Sequence, residues 1–347
     1  MNKSIAVWWQ ACRFHFVPPS IIPAVLGSII AWTTTGTFHP GLFLLTVIGV
    51  TFNHVALNMT DDYFDYTNSV DRAKNREKNP YSGGSGTLTT GLIKPRQMYI
   101  VLMSLYIITI IIGLYLTYSR GWVVLLLGLF GMASAYFYTA PPIRYGYHGF
   151  GELSQLINFS LTIGLGAYYV QAQQFSWEAF WMLLPLGFMM FSMITINEIP
   201  DEAQDREGNK CTLVVIMGKA TGVKLYTAGM IIAFIIILLT PVFGSASYWS
   251  YLALLTLPWL RNAIPIANKH YDNPEELAPA NMLTIKIHNI AGILLIAGYF
   301  IKGVFSGQDA ATLGWLILAI IVLYTPVFFT IFIPKLPIKA AEKYIES

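Results

Sequence analysis

The fold class that the sequence predicts is all-α, a polytopic bundle of transmembrane helices, and three observations predict it. Of 347 residues, 55% are hydrophobic and only 11% charged, with a mean hydropathy of +0.56, against roughly a quarter charged in soluble domains. Apolar runs of about 20 residues, enough helix to cross a hydrocarbon core of about 30 Å, recur along the whole chain and leave no room for a separate soluble domain. Lys and Arg are also unevenly placed around those runs, as they are in proteins whose orientation is set by positive charge.

Taken in order, the runs are 17–36, 41–60, 98–118, 121–139, 152–172, 179–198, 223–243, 247–267, 284–303 and 311–333. The first follows Lys3 and Arg13 and lacks the short apolar core and cleavage site of a signal peptide, so it is read as retained. The second stays free of Lys, Arg, Asp and Glu from Gly41 to Ala56 and then runs into Asp61, Asp62 and Asp65. The fifth opens on Glu152, a carboxylate suited to the positive end of a helix dipole. His54 and His288 fall in or beside apolar runs, where a hydrogen bond to a neighbouring helix is the ordinary role. The tenth run and the tail "KLPIKAAEKYIES" read as an added packing helix and a solvated end. With the N-terminus cytoplasmic, ten crossings leave only Arg120 and Lys302 of the 21 Lys and Arg residues on the far side. That asymmetry predicts a cell (inner) membrane protein with both termini and the long loops on the cytoplasmic side. Cys12 and Cys211 then face a reducing compartment without metal-ligand spacing.

Two cytoplasmic connections are long and polar, 61–97 and 199–222, and each follows an apolar run that ends in Asn and Asp. Asn58 precedes Asp62 by four residues; Asn197 precedes Asp201 by four, and Asp205 lies four further on. Residues four apart share a helix face, so each segment, if helical, aims a row of oxygen ligands one way, with Glu198 and Glu202 on a neighbouring face. Pro200 suits a first-turn or kinked position. The stretch Ser82–Gly86 lacks the surroundings of a nucleotide-binding loop and reads as flexible.

Like charges at this spacing repel, and ionised groups at membrane depth cost roughly 2.5–3.5 kcal/mol each on insertion scales. Magnesium offsets such clusters economically, because it takes one or two carboxylates and completes its octahedron with water and phosphate oxygens. Two facing Asp-rich helix ends could therefore hold a diphosphate through Mg2+, with Arg76, Lys78, Arg206 and Lys210 neutralising the remaining phosphate charge. The plainer alternative is that these acids cap helices and solvate loop edges. A second alternative is an ion-coupled transporter, whose carboxylates would be expected near the bilayer midplane rather than at helix ends.

Three stretches carry a family resemblance. "NMTDDYFDYTNSVD" (58–71), "NEIPDEAQDREGNKCTL" (197–213) and "YTAPPIRYGYHGFGEL" (138–153) resemble, in order and at the matching helix ends, the two Asp-rich motifs and the intervening Tyr-Pro-Pro signature of the UbiA superfamily of intramembrane prenyltransferases. The likeness is nearest to the menaquinone-type members that prenylate dihydroxynaphthoate. With "RFHFVPPSIIPAVLGSIIA" it covers about residues 13–303, which implies a single integral-membrane domain (1–347) made of a nine-helix core and, over 304–347, an extra helix and tail. The chain departs from the pattern at Asp61, where Asn is usual, at Ser69 and Asn209, where Gly is usual, and at His148, where Arg is usual; Asn tolerates the left-handed backbone that Gly supplies.

The resemblance implies transfer of a polyprenyl group from an allylic polyprenyl diphosphate to an aromatic acceptor, 1,4-dihydroxy-2-naphthoate in menaquinone biosynthesis, with another aromatic or lipid acceptor as the alternative. In that scheme Asn58, Asp62, Asp65, Asn197, Asp201 and Asp205 bind the Mg2+-bridged diphosphate, Asp61 and Asp71 are secondary, and aromatic faces from Tyr63, Phe64, Tyr138 and Tyr147 shield an allylic cation. Arg144 would bind an acceptor carboxylate or diphosphate, and Glu152 would help orient the acceptor. The expected partners are the prenyl donor, the acceptor and membrane lipid, with no nucleic acid.

Overall fold

The first nine predicted runs fold as helices, and most of their starts have a local chemical reason. The computed structural model describes residues 3–68, 70, 83–308 and 314; the tenth run and the tail lie outside them. A short helix, α1 (Lys3–Cys12), precedes the first span and was not expected. The spans are α2 (Pro18–Thr35), α3 (Pro40–Thr67), α4 (Pro95–Arg120) and α5 (Trp122–Phe137), then α6 (Gly151–Leu156), which passes through a π-helical turn at Ile157–Thr162 into α7 (Ile163–Ala172). After them come α8 (Trp177–Glu198), the short helices α9 (Glu202–Glu207) and α10 (Leu213–Met217), α11 (Lys219–Val242), a 3-10 run Tyr248–Thr256 that leads into α12 (Leu257–His270), and α13 (Pro274–Phe305).

Proline occupies the first turn of α2, α3, α4, α12 and α13, where its missing N–H is one of the donors a helix start leaves unpaired anyway. Asn273 caps α13 by accepting from the Glu275 N–H at 3.1 Å, and Ser176 caps α8 by accepting from Ala179. Two expected boundaries shift. The second run does not end at residue 60 but continues as helix to Thr67, so the loop read as 61–97 begins later, and the ninth starts ten residues early, at Pro274. In both cases polar residues extend a helix beyond the apolar stretch that marks it in sequence.

α2 is the hub: every residue from Pro18 to Thr33 is buried, and the helix packs on α7, α13, α3 and α8. A Cβ on Gly27 would sit 2.0 Å from the Gly164 carbonyl oxygen of α7, so a glycine pair lets these two backbones touch. α4 behaves oppositely, turning Ile100, Ile107, Ile111 and Leu114 outward at helical spacing. Among the described residues five helices, α3, α4, α8, α11 and α13, are by themselves long and apolar enough to cross a membrane. At the end of the bundle away from the Asp motifs, Lys302 pairs with Glu178 at 2.8 Å, and the Tyr299 hydroxyl donates to the same carboxylate.

Candidate active site

Because α3 stays helical to Thr67, His54, Asn58, Asp61, Asp62 and Asp65 rise along one side of it, three to four residues apart. The Asn58 amide donates to the Cys12 carbonyl at 3.2 Å, which ties this face to the end of α1. The second acidic segment is built differently. α8 stops at Glu198, the chain turns through Ile199 and Pro200, and Asp201 stands at the head of α9. Asn197, in the last turn of α8, accepts from Asn281 of α13 at 2.8 Å. Beyond α9, Asn209 takes a left-handed backbone (φ 56°), as its replacement of a glycine predicts, and this returns Lys210 towards α3.

The two segments meet. Lys210 Nζ lies 2.8 Å from Asp65 and 3.8 Å from Asp61. The Tyr147 hydroxyl donates to the other Asp65 oxygen, and Asn68 donates to Tyr147 at 3.4 Å. Residues 83–85 bridge the acids: the Gly83 N–H donates to Asp201 at 2.8 Å and the Ser85 N–H donates to Asp62 at 3.1 Å. α1 and the turn after it hold this bridge, with Gln10 donating to the Ser85 carbonyl and Arg13 to the Gly83 carbonyl; Arg13 also reaches 3.5 Å from both Asp61 and Asp62. The described part of the Gly-Ser stretch is therefore not a loose loop. Its N–H groups are spent on the site's own carboxylates.

The result is a cavity of about 140 Å³ whose wall includes the acids Asp61, Asp65, Glu198, Asp201 and Asp205 and the bases Arg13 and Lys210. Acids outnumber bases five to two. Burial drives the Asp205 carboxyl well above the usual carboxylate range; Lys210 opposes this, and Asp201, Asp65 and Asp61 add to it. Burial pushes the Lys210 amine down, but Asp65, Asp61 and Asp205 outweigh it and hold the amine well above its ordinary value. Burial and the Asp65 charge raise the Tyr147 phenol, which keeps it a hydrogen-bond donor. Among the described residues no three His, Cys, Asp or Glu groups stand close enough to chelate a metal by themselves, so a cation here would need ligand oxygens and water to complete its shell.

Of the expected residues, Asn58, Asp65, Asn197, Asp201, Asp205, Lys210 and Tyr138 line this cavity. Asp62 and Tyr147 stand behind it, in contact with its lining through Arg13, Asp65 and Lys210. Arg206 does not join them: it is exposed, pairs with Glu202 on α9 and donates to the Val215 carbonyl. Arg144, with a left-handed backbone (φ 44°), packs its guanidinium over the Tyr147 ring at 5.6 Å and does not line the cavity. Tyr63 and Phe64 pack against each other and against Tyr99 and Tyr136. Glu152 is wholly buried and accepts from the Leu213 N–H at 2.6 Å, so it anchors the start of α10 as well as facing a helix dipole. Arg76, Lys78, Asp71 and Ser82 lie outside the described residues. Arg13 was missed as a site residue, because an arginine beside a first span reads as a topology charge.

A second cavity, about 170 Å³ and mostly apolar, lies next to the first between α3, α4, α5 and the α6–α7 segment. The two share His54, Leu57, Tyr138, Gln155 and Phe159. A charged compartment thus adjoins a greasy one, which suits a ligand with an anionic head and a long apolar tail.

Comparison with known proteins agrees with this geometry. The chain is 26% identical over 300 residues to 1,4-dihydroxy-2-naphthoate octaprenyltransferase of Bacillus subtilis, covering 85% of this chain and 93% of that one. It is 24% identical over 295 residues to 2-carboxy-1,4-naphthoquinone phytyltransferase of Synechocystis, covering 84% and 92%. Among solved structures, a UbiA homologue from Aeropyrum pernix superposes with a TM-score of 0.60 at 16% identity over 82% of this chain and 98% of that one. A UbiA homologue from Archaeoglobus fulgidus bound to GPP and Mg2+ gives 0.54 at 13% identity over 85% and 99%. The sequence profile of the UbiA prenyltransferase family matches residues 20–290, most of the membrane-spanning bundle, and the chain belongs to that family.

Proposed function

We propose that this protein transfers a polyprenyl group from its allylic diphosphate to 1,4-dihydroxy-2-naphthoate, in a magnesium-dependent step of menaquinone biosynthesis at the cytoplasmic face of the cell membrane. The observation that carries the reading is the pair of joined cavities, one walled by two acidic segments with Arg13 and Lys210, the other apolar. The named naphthoate enzymes among the relatives support the choice of acceptor, and the placement of Arg120 and Lys302, alone among the Lys and Arg of the described residues, at the far end supports the orientation.

The residues present fit magnesium. Carboxylates exceed cations in the wall, and among the described residues Asp61 Oδ1 is buried without a hydrogen-bond partner, with the Lys210 ammonium 3.8 Å away. Asp61 and Asp65 on one segment and Asp201 and Asp205 on the other, with Asn58 and Asn197, would hold magnesium together with diphosphate oxygens and water, and Asp62 stands behind them on the Ser85 N–H. Bound there, magnesium would offset the negative charge that grows on the departing diphosphate. Arg13 and Lys210 add fixed positive charge on the same side. Tyr147 keeps Asp65 oriented by donating to it. Tyr138 and Phe159, at the junction, turn aromatic surface to the point where the carbon–oxygen bond breaks and exclude water from the allylic cation. The diphosphate leaves with the bonding pair, the electron-rich ring carbon attacks the cation, and that carbon then sheds the group it carried, a proton or the carboxyl as CO2, to restore the aromatic ring.

The test is direct. Purified protein with Mg2+, a labelled polyprenyl diphosphate and dihydroxynaphthoate should release diphosphate and form a prenylated product, and chelation should abolish both. Turnover of a different phenol in place of dihydroxynaphthoate would remove the acceptor assignment and keep the reaction class; no transfer to any acceptor would contradict the reading.

A further inference from the structure

At the junction of the two cavities, polar side chains stand in an otherwise apolar wall with bonding capacity unused. Gln155 is 7% exposed and Asn158 9%, and Gln155 Oε1 and Asn158 Oδ1 are buried without any hydrogen-bond partner among the described residues. Gln155 lines both cavities and Asn158 the apolar one. Native interiors seldom leave such atoms unanswered.

The orientation of Asn158 is determined by its neighbours. Its Nδ2 donates at 3.0 Å to the Ser154 carbonyl, which can only accept, so the NH2 end must face Ser154. Nδ2 also donates to Ser154 Oγ; Ser154 in turn shares a bond with the Tyr145 hydroxyl, whose own proton goes to the Ser134 carbonyl at 2.6 Å. Every donor in this chain is spent, and Asn158 Oδ1 is left as an acceptor open to a donor from water or, displacing it, from a ligand. Asn158 sits in the π-helical turn Ile157–Thr162, a distortion often found at functional sites. Beside it, Phe159 meets the His54 ring edge-on at 5.1 Å, and His54 bonds through Nδ1 to Ser20.

Three ligand parts could occupy this place. A diphosphate offers acceptors and no donors, so it cannot answer Asn158 Oδ1, whose amide is fixed by Ser154; Gln155, held by no partner among the described residues, is free to turn either end of its amide to a ligand. An isoprenoid tail offers no polar atom. A hydroxylated aromatic ring offers both an apolar face and O–H donors. We infer that the junction is the seat of the aromatic acceptor, with Asn158 and Gln155 accepting hydrogen bonds from its phenolic hydroxyls and Phe159 packing against the ring. This rests on the prenyl-transfer reading above and deepens it: the seat recognises a ring by its hydroxyl groups, from within the bundle, and does not draw on Arg144 at the surface.

Steady-state kinetics on the full-length protein test this with Gln155→Met and Asn158→Leu. The Gln155 side chain makes no hydrogen bond within the fold among the described residues, so a purely structural account expects Gln155→Met to be silent, whereas the seat predicts a rise of about tenfold in KM for dihydroxynaphthoate, the worth of one lost hydrogen bond, with KM for the prenyl diphosphate unchanged. 1-Hydroxy-2-naphthoate, which lacks one donor, should compete with the acceptor in wild type and lose less affinity than dihydroxynaphthoate in the Asn158→Leu protein. Unchanged acceptor KM in Gln155→Met, or a rise confined to the prenyl diphosphate, overturns the seat. Should wild type ignore dihydroxynaphthoate and use another phenol, the acceptor assignment fails by itself, and the same KM split with that phenol decides the seat. Unaltered binding of prenyl diphosphate in Asn158→Leu serves as the check that this variant folds.

Discussion

Asp62 and Asp201 accept backbone N–H groups from the same three-residue strip, Gly83 to Ser85, and this shared clamp couples two segments 139 residues apart in the sequence. Asp62→Ala or Asp201→Ala is expected to lower prenyl transfer by about 100- to 1000-fold, the usual loss when a preorganised electrostatic contact is removed, while the detergent-solubilised protein keeps its elution profile. Lys210 calls for a different outcome. Lys210→Met leaves Asp65 buried without its cation, so it should destabilise the fold by about 3–5 kcal/mol as well as abolish activity, read as a drop in thermal midpoint. Asp205 supplies a pH signature. Burial keeps its proton on at pH values where an ordinary aspartate, with a pKa near ~4, is already ionised, and a metal ligand must shed that proton. Mg2+-dependent binding of prenyl diphosphate should therefore tighten as pH rises above that ordinary range and weaken as pH falls; titration calorimetry that finds flat affinity there contradicts this role. At this scale the aspartates and asparagines were legible, because their four-residue spacing repeats. Arg13 was not, since its involvement depends on a left-handed turn (φ 50°) between α1 and α2 that no pattern announces. Arg206 misled for the converse reason: one residue after Asp205, it is turned about 100° round α9 into solvent and pairs with Glu202.

At the scale of elements, the positions of the acidic segments follow from how the helices pack. Gly27 lets α2 touch α7, and Gly27→Ala puts a methyl group into the Gly164 carbonyl oxygen. The expected cost is about 1–3 kcal/mol, typical of overpacking, with a lower thermal midpoint and a proportionate loss of activity as the apolar cavity, which α7 helps to line, changes shape. The nine described spans were legible from apolar run length. Their ends were less so, because α3 and α13 extend into polar sequence, where helix periodicity carries a weaker hydrophobic signal. The π-helical turn at Ile157–Thr162 was invisible, since one extra residue in a turn leaves an apolar run still apolar. α9 and α10 were hidden too: helices of five or six residues make no periodic pattern.

The whole molecule joins a charged pocket at one end of a membrane-spanning bundle to an apolar passage inside it, with Tyr138, Phe159 and Gln155 where they meet. The class and the convergence of two distant acidic segments could be read from the sequence, because charge is costly in a chain this apolar and its placement is therefore constrained. How the pocket passes into the passage could not, because that depends on side chains from α3, α5, α6 and α8 that no linear spacing relates. The most direct test of the central claim is a structure with Mn2+ in place of magnesium and a thiodiphosphate analogue of the prenyl donor, read by the anomalous signal of the metal. The account predicts metal density between the two acidic segments, within coordination distance of oxygens from both Asp61 or Asp65 and Asp201 or Asp205, with the analogue's phosphates beside Arg13 and Lys210. Metal bound to one segment alone, or a headgroup seated elsewhere on the protein, would contradict it.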